Sequence, residues 1–248
     1  MEGERGVTAR DALEFLASRR RAVLMGGAAV ILHGLSRMTK DYDIWLDPLP
    51  NPDAWASGIV ELLAAAPFLQ ARRIATIATG MWTPITGSEI AAVGSEDGMV
   101  RLAGLDWPID VFYKPNEFDV SDFEGVWQRS TPSDRGLRLM EKIDLLVTKQ
   151  LTDRLGDRAD IGFLTGKVEE EYRARLKDCS EQEAKEMFER FATPEIAAFA
   201  IRESANEKVR ALALRTLEEM RTAGDPFAEE LIRELDPRSQ GKGLESER

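Results

Sequence analysis

A short apolar run that ends on two adjacent glycines most limits how this chain can fold. Residues 22–46 read AVLMGGAAVILHGLSRMTKDYDIWL. Residues 22–25 have the composition of a buried strand, Gly26 and Gly27 break it, and residues 28–32 are the strongest helix-forming segment nearby. The expected unit is strand, turn, helix. Glycines allow a backbone to approach a ligand closely, and a helix N-terminus presents N–H groups to an anion, so the turn is suited to phosphate.

Asp41 and Asp43 flank Tyr42 at the start of a second apolar run ending in Ile44, Trp45 and Leu46. On a strand, a period of two sends both carboxylates to one face and Tyr42 and Ile44 to the other. At about 3.3 Å per residue the two acids stand roughly 7 Å apart, a spacing that suits a hard divalent cation. Without a cation the pair would repel. A metal and a phosphate are therefore expected together.

The order GG, short helix, HG, RxT and DYD on a following strand resembles the nucleotidyltransferase superfamily that includes DNA polymerase β, and within it the bacterial branch containing AbiE-type toxins of toxin–antitoxin systems. The resemblance implies an N-terminal mixed α/β sheet flanked by helices, an α-helical C-terminal domain, and magnesium-dependent transfer of a nucleoside monophosphate from an NTP to an acceptor hydroxyl on RNA, tRNA or protein. It also implies a role for Asp110, which lies inside the apolar strand PIDVFY, where an unpaired acid is costly. As a third carboxylate, Asp110 would join Asp41 and Asp43 around two Mg²⁺ ions and act as general base. Gly26 and Gly27 would contact phosphates. Arg37 and Thr39 stand where the branch has RxT, and the guanidinium would grip the triphosphate; a plain ion pair to Asp41 or Asp43 is the alternative.

From about residue 135 the period becomes helical. Lys149, Asp153, Asp157 and Asp160 fall on one stripe of an ideal helix. With Arg154 they resemble the family's later motifs, in which a lysine and an acidic group line the nucleotide cleft; surface i,i+4 pairing is the plainer alternative. Arg154 points about 140° away from Lys149 on an ideal helix, at odds with a shared ligand. His33, the single histidine, is read as a packing or capping residue rather than a metal ligand.

Elsewhere, Thr8 and Asp11 have capping-box spacing before a helix over 8–18, and Asn51-Pro52 opens a helix bearing Trp55, Ile59 and Leu62. Strands are expected near 73–78, 88–93 and 99–104, with Glu96, Asp97 and Gly98 as the turn between the last two. Beyond 167 a helical bundle is expected, including a fourth helix that starts at Asp225-Pro226 and carries Phe227, Leu231 and Leu235 inward. The expected division is 1–130 for the catalytic domain, 131–236 for a helical domain completing the cleft, and 237–248 for a disordered tail.

The net charge of −11 argues against a long nucleic-acid footprint, which needs a basic face; a tRNA end needs only a local patch such as Arg19, Arg20, Arg21, Arg72 and Arg73 gathered together. No apolar run is long enough for a membrane span and no signal segment is seen, so a cytoplasmic protein is expected. A toxin implies a cognate antitoxin. Two rival functions stand beside it: a small-molecule, antibiotic-type nucleotidyltransferase, and a non-catalytic nucleotide-binding module.

Overall fold

The computed structural model describes residues 7–76, 80–149 and 155–235. Asp153, Arg154 and the tail over 237–248 lie outside the described residues. The chain divides into two compact units, Met1–Leu164 and Thr165–Arg248. The first is mixed α/β and the second is helical.

In the first unit, β1 (Ala22–Met25), β2 (Tyr42–Leu46), β3 (Gln70–Thr76), β4 (Met81–Pro84), β5 (Met99–Ala103), β6 (Ile109–Phe112), β7 (Thr131–Pro132) and β8 (Arg138–Leu139) form one sheet. Their order is β4-β3-β5-β6-β2-β1-β8-β7. β2 runs parallel to β6 and β1 parallel to β8; the other pairs are antiparallel. The central strands are short and almost wholly apolar, as strands covered on both faces must be. Ile44, Trp45, Leu46, Ile109 and Val111 are fully buried. One row across the sheet breaks this apolar pattern: Met25 stands opposite Asp43, Asp43 opposite Asp110, and Asp110 opposite Arg101. Residues directly opposite one another project to the same face, so the row carries two acids and an arginine side by side.

Helices α1 (Ala9–Arg19), α2 (Gly26–Leu32), α3 (Pro52–Ala65), α4 (Ile90–Asp97), α5 (Phe123–Arg129) and α6 (Lys142–Lys149) complete this unit, and α7 (Leu155–Leu176) begins in it. α1 starts at the expected capping box, with Thr8 and Asp11 each accepting from the other's backbone. α3 starts at the expected Asn51 cap.

The strand expected at 88–93 is not there. Thr86 and Glu89 form a capping box that starts a 3-10 turn, and the chain continues directly into α4. Glu96 and Asp97 accordingly end in a helix C-terminus, closed by Gly98 in the left-handed region at φ 77°, rather than in a hairpin turn. The apolar residues Ile90 and Val93 are three apart, so they share a helical face as readily as they alternate on a strand, and burial against α3 decides between the two.

Gly94 shows how tight that contact is. A Cβ there would lie 2.2 Å from the Trp55 ring, which is itself fixed by Nε1 donating to the Phe112 carbonyl at 3.1 Å. The Gly94→Ala variant should therefore lose roughly 1–3 kcal/mol, read as a lower urea midpoint.

The second unit holds the rest of α7 and α8 (Glu181–Arg190), α9 (Pro194–Glu203), α10 (Glu207–Thr222) and α11 (Pro226–Leu235). Ala184, Met187, Ile196, Val209 and Leu217 are buried as the periodicity predicts. Phe227 is not: it is 61% exposed, and Ala228 is buried in its place. Asp225 accepts from the backbone N–H groups of both Phe227 and Ala228, which fixes where the helix starts, and the face packed inward is the one that carries Ala228.

Candidate functional site

The ten residues singled out from the sequence all belong to the first unit. β1 passes into α2 without a loop, so Gly26 must turn the chain at once, and it does so at φ +61°. A Cβ at Gly26 would lie 1.9 Å from Asp43 Oδ2. The strand-to-helix turn is thus packed directly against the acid that faces it from β2. A Cβ at Gly27 would meet the Arg37 guanidinium at 2.7 Å and the Thr39 hydroxyl at 2.9 Å. Both positions exclude a Cβ, and the groups packed against them are a carboxylate, a guanidinium and a hydroxyl of this chain.

Asp41, Asp43 and Asp110 are drawn together, and the group at their centre, Arg101, is not among the residues that the sequence pattern singles out. Arg101 grips Asp110 in a two-point fork, Nε to Oδ1 and Nη2 to Oδ2, each at 2.6 Å. The same Nη2 reaches Asp41 Oδ2 at 3.1 Å. The guanidinium lies 4.3 Å from the centre of the Trp82 ring. Asp110 is buried, and Asp41 is about one-third exposed with its backbone carbonyl accepting from the Thr39 hydroxyl at 3.1 Å.

Asp43 makes no hydrogen bond or ion pair among the described residues. Its carboxyl is pushed up to about 7, chiefly because burial strips it of water, and then because Asp110 and Asp41 repel a further charge; Lys149 and Arg101 work against the rise. In turn the hydrogen bonds that Arg101 donates to Asp110 hold its guanidinium even more firmly protonated.

A second cluster adjoins the glycine turn. Asp160, wholly buried at the start of α7, receives Arg37 Nη2 at 2.6 Å and Lys149 Nζ at 2.8 Å. Lys149, 6% exposed at the end of α6, also donates to Asp157 at 2.7 Å. Neither alternative drawn from the sequence describes these residues. Lys149 and its acids form a buried network rather than a surface i,i+4 pair, and Arg37 joins Asp160 rather than Asp41 or Asp43. Arg37 Nε and Asp160 Oδ1 are buried and lack partners among the described residues, so the network carries unused hydrogen-bonding capacity. His33 Nε2 lies 2.8 Å from the Met140 carbonyl, in keeping with a packing role.

Of the five arginines that could gather into a basic patch, Arg20 donates to the backbone carbonyls of Asp47 and Leu49, Arg72 donates to Gln70, and the other three are matched by acids. Arg19 pairs with Glu61 at 3.0 Å, Arg21 with Asp47 at 2.9 Å and Glu124 at 2.7 Å, and Arg73 with Asp97 at 2.9 Å.

Arg101 and Trp82 leave only a faint trace in the sequence, a lone arginine inside the apolar run MVRLA. A charge within a strand asks for a partner, but only the β5–β6 register reveals that the partner is Asp110.

Among the described residues there is no group of three or more histidine, cysteine or carboxylate side chains already placed to hold a metal ion. The three aspartates are arranged around a guanidinium. No family model matches this chain, and a search of curated proteins finds no match to it. No helix among the described residues is long and apolar enough to cross a membrane.

Proposed function

We propose that this chain is a magnesium-dependent nucleotidyltransferase that moves a nucleoside monophosphate from an NTP to an acceptor hydroxyl, as the toxin of a toxin–antitoxin pair. The observation that carries it is Asp43: a desolvated carboxylate without a protein partner among the described residues, packed on Gly26 and flanked by Asp41 and Asp110. Such a group is costly in the metal-free protein and gains most from a cation.

The donor set fits magnesium, being entirely carboxylate oxygen, and Asp41 and Asp43 would hold the ion. Bound there, Mg²⁺ would neutralise charge on the triphosphate and polarise the phosphorus under attack. The chain's own cations do the rest. Gly26 and Gly27 let Asp43, Arg37 and Thr39 pack close against the turn where the phosphates would lie, Arg37 beside Gly27 offers a planar fork to the triphosphate, and Lys149 adds a second positive charge. Asp160 holds both cations from beneath, so neither has to be ordered when the nucleotide arrives. Asp157 shares Lys149 and limits its swing.

Isothermal titration with ATP, CTP, GTP and UTP should give binding to at least one nucleotide in the presence of Mg²⁺. Binding that ignores Mg²⁺, or no binding to any of the four, would overturn the assignment. Because protonated Asp43 cannot serve as a ligand, affinity for Mg²⁺ should rise between pH 6 and 8, with up to about one proton released per ion near pH 6.5.

Transfer to a small molecule is the second reading, favoured by the net charge of −11 and by the acid-matched arginines. Incubation with labelled NTP and total RNA separates the two acceptor classes: label in RNA supports the tRNA route and excludes the small-acceptor one. A non-catalytic nucleotide-binding module is the third, and an Asp43→Asn chain as active as wild type in growth inhibition would favour it.

A further inference from the structure

The resemblance implies two magnesium ions, yet the side chains around the three aspartates leave space for a different arrangement. Both oxygens of Asp110 are occupied by one guanidinium at 2.6 Å, and that guanidinium also takes one oxygen of Asp41. Its position is set by backbone as well as by side chains: Arg101 and Asp110 are direct neighbours on antiparallel β5 and β6, so the fork follows from strand register and needs no loop to close. The Trp82 ring covers it at 4.3 Å, and the arginine side chain is only 22% exposed. Breaking a covered, two-point arginine–carboxylate pair by drawing off one partner leaves a charge stranded, which is among the costlier changes in a protein. Among the described residues Asp43, by contrast, is not engaged, and the second oxygen of Asp41 meets only the Thr39 hydroxyl at a long 3.5 Å.

We propose that Arg101 takes the place of the second cation: the site binds a single divalent ion through Asp41 and Asp43, while Asp110 serves as the counter-charge of Arg101 and not as a metal ligand. This rests on the nucleotidyltransferase reading and revises its metal count. A guanidinium supplies fixed positive charge at the Asp110 side of the site, but it has no open coordination position, so it does not bind and acidify an acceptor hydroxyl as a second metal would. Arg101 is in that sense a positioning and charge-compensating residue.

The test is a titration of the full chain with Mn²⁺ alone at pH 8, counting bound ions from the loss of the free-ion electron paramagnetic resonance signal. Wild type should bind one ion per chain. Arg101→Ala, which frees Asp110, should bind two, and Arg101→Lys, which keeps the charge, should bind one. Folding of each variant is checked by thermal melting. Because Arg101→Ala strands an acid, a second chain replaces the pair as a unit, Arg101→Gln with Asp110→Asn, and should still bind one ion within about threefold of the wild-type affinity. Two ions in wild type, one ion in a folded Arg101→Ala, or loss of the ion in the double variant would each overturn the proposal and leave the nucleotidyltransferase assignment standing. No ion in any form, together with no magnesium-dependent NTP binding, would remove the assignment itself.

Discussion

The Asp43→Asn variant should lose nucleotide transfer and yet, without metal, be more stable than wild type at pH 8. The two effects share one cause. Asp43 is held near pKa 7 by burial and by its acidic neighbours, whereas in the unfolded chain it titrates near 3.8. Between those values the folded state binds the extra proton, so stability falls as pH rises through that window. The cost is absent below about pH 4 and fully present above about pH 7. Asparagine removes it, and the gain should be on the order of 2 kcal/mol at pH 8 and near zero at pH 4, measured by urea unfolding in chelator. Loss of a ligand to the cation should meanwhile slow transfer by about 10³-fold, equivalent to roughly 4 kcal/mol in the barrier. A variant that is less stable than wild type at pH 8, or stabilised equally at both pH values, would show that Asp43 is not a strained charge.

Asp160→Ala should produce the largest loss of stability. Asp160 is wholly buried and binds Arg37 and Lys149 together, so its removal takes away the acid that the two cations share and leaves Lys149 its contact with Asp157. Breaking one buried ion pair from one side costs roughly 3–5 kcal/mol, and two share this acid. The expected result is a fall in the urea midpoint with the slope unchanged, larger than for Asp157→Ala, because Asp157 contacts Lys149 from a more exposed position. Equal effects of the two variants would mean that Asp160 is not the hub.

The parts of the site built from local spacing are legible in the sequence. The glycine pair and the strand around Asp110 follow from a break in a period of two or from the period itself, and the fold carries both; Asp43 lies on β2, whereas Asp41 immediately precedes that strand and is not on its ladder. The sequence is silent where the answer lies in which strands pair. Arg101 sits nine residues before Asp110, separated by a turn, and no periodicity says that the two are opposite neighbours. Residues 88–93 depart from expectation for a related reason: a short apolar stretch fits either period, and the Thr86–Glu89 capping box, a local helix signal, outweighs the β-propensity. Arg37 takes an unexpected partner because the nearest acids in sequence, Asp41 and Asp43, are not the ones it reaches in space; Asp160 comes from 123 residues away.

The row of opposed residues that joins β1, β2, β6 and β5 has a bearing on synthesis. A ribosome that has completed Asp41 and Asp43 has made two of the three acids but not Arg101, the guanidinium that counters them, because Arg101 and Asp110 emerge later, on β5 and on β6, and β6 is the strand that docks beside β2. A nascent chain that ends before Asp110 thus has no completed charge array, and whatever chemistry the array performs is withheld until the centre of the sheet is in place.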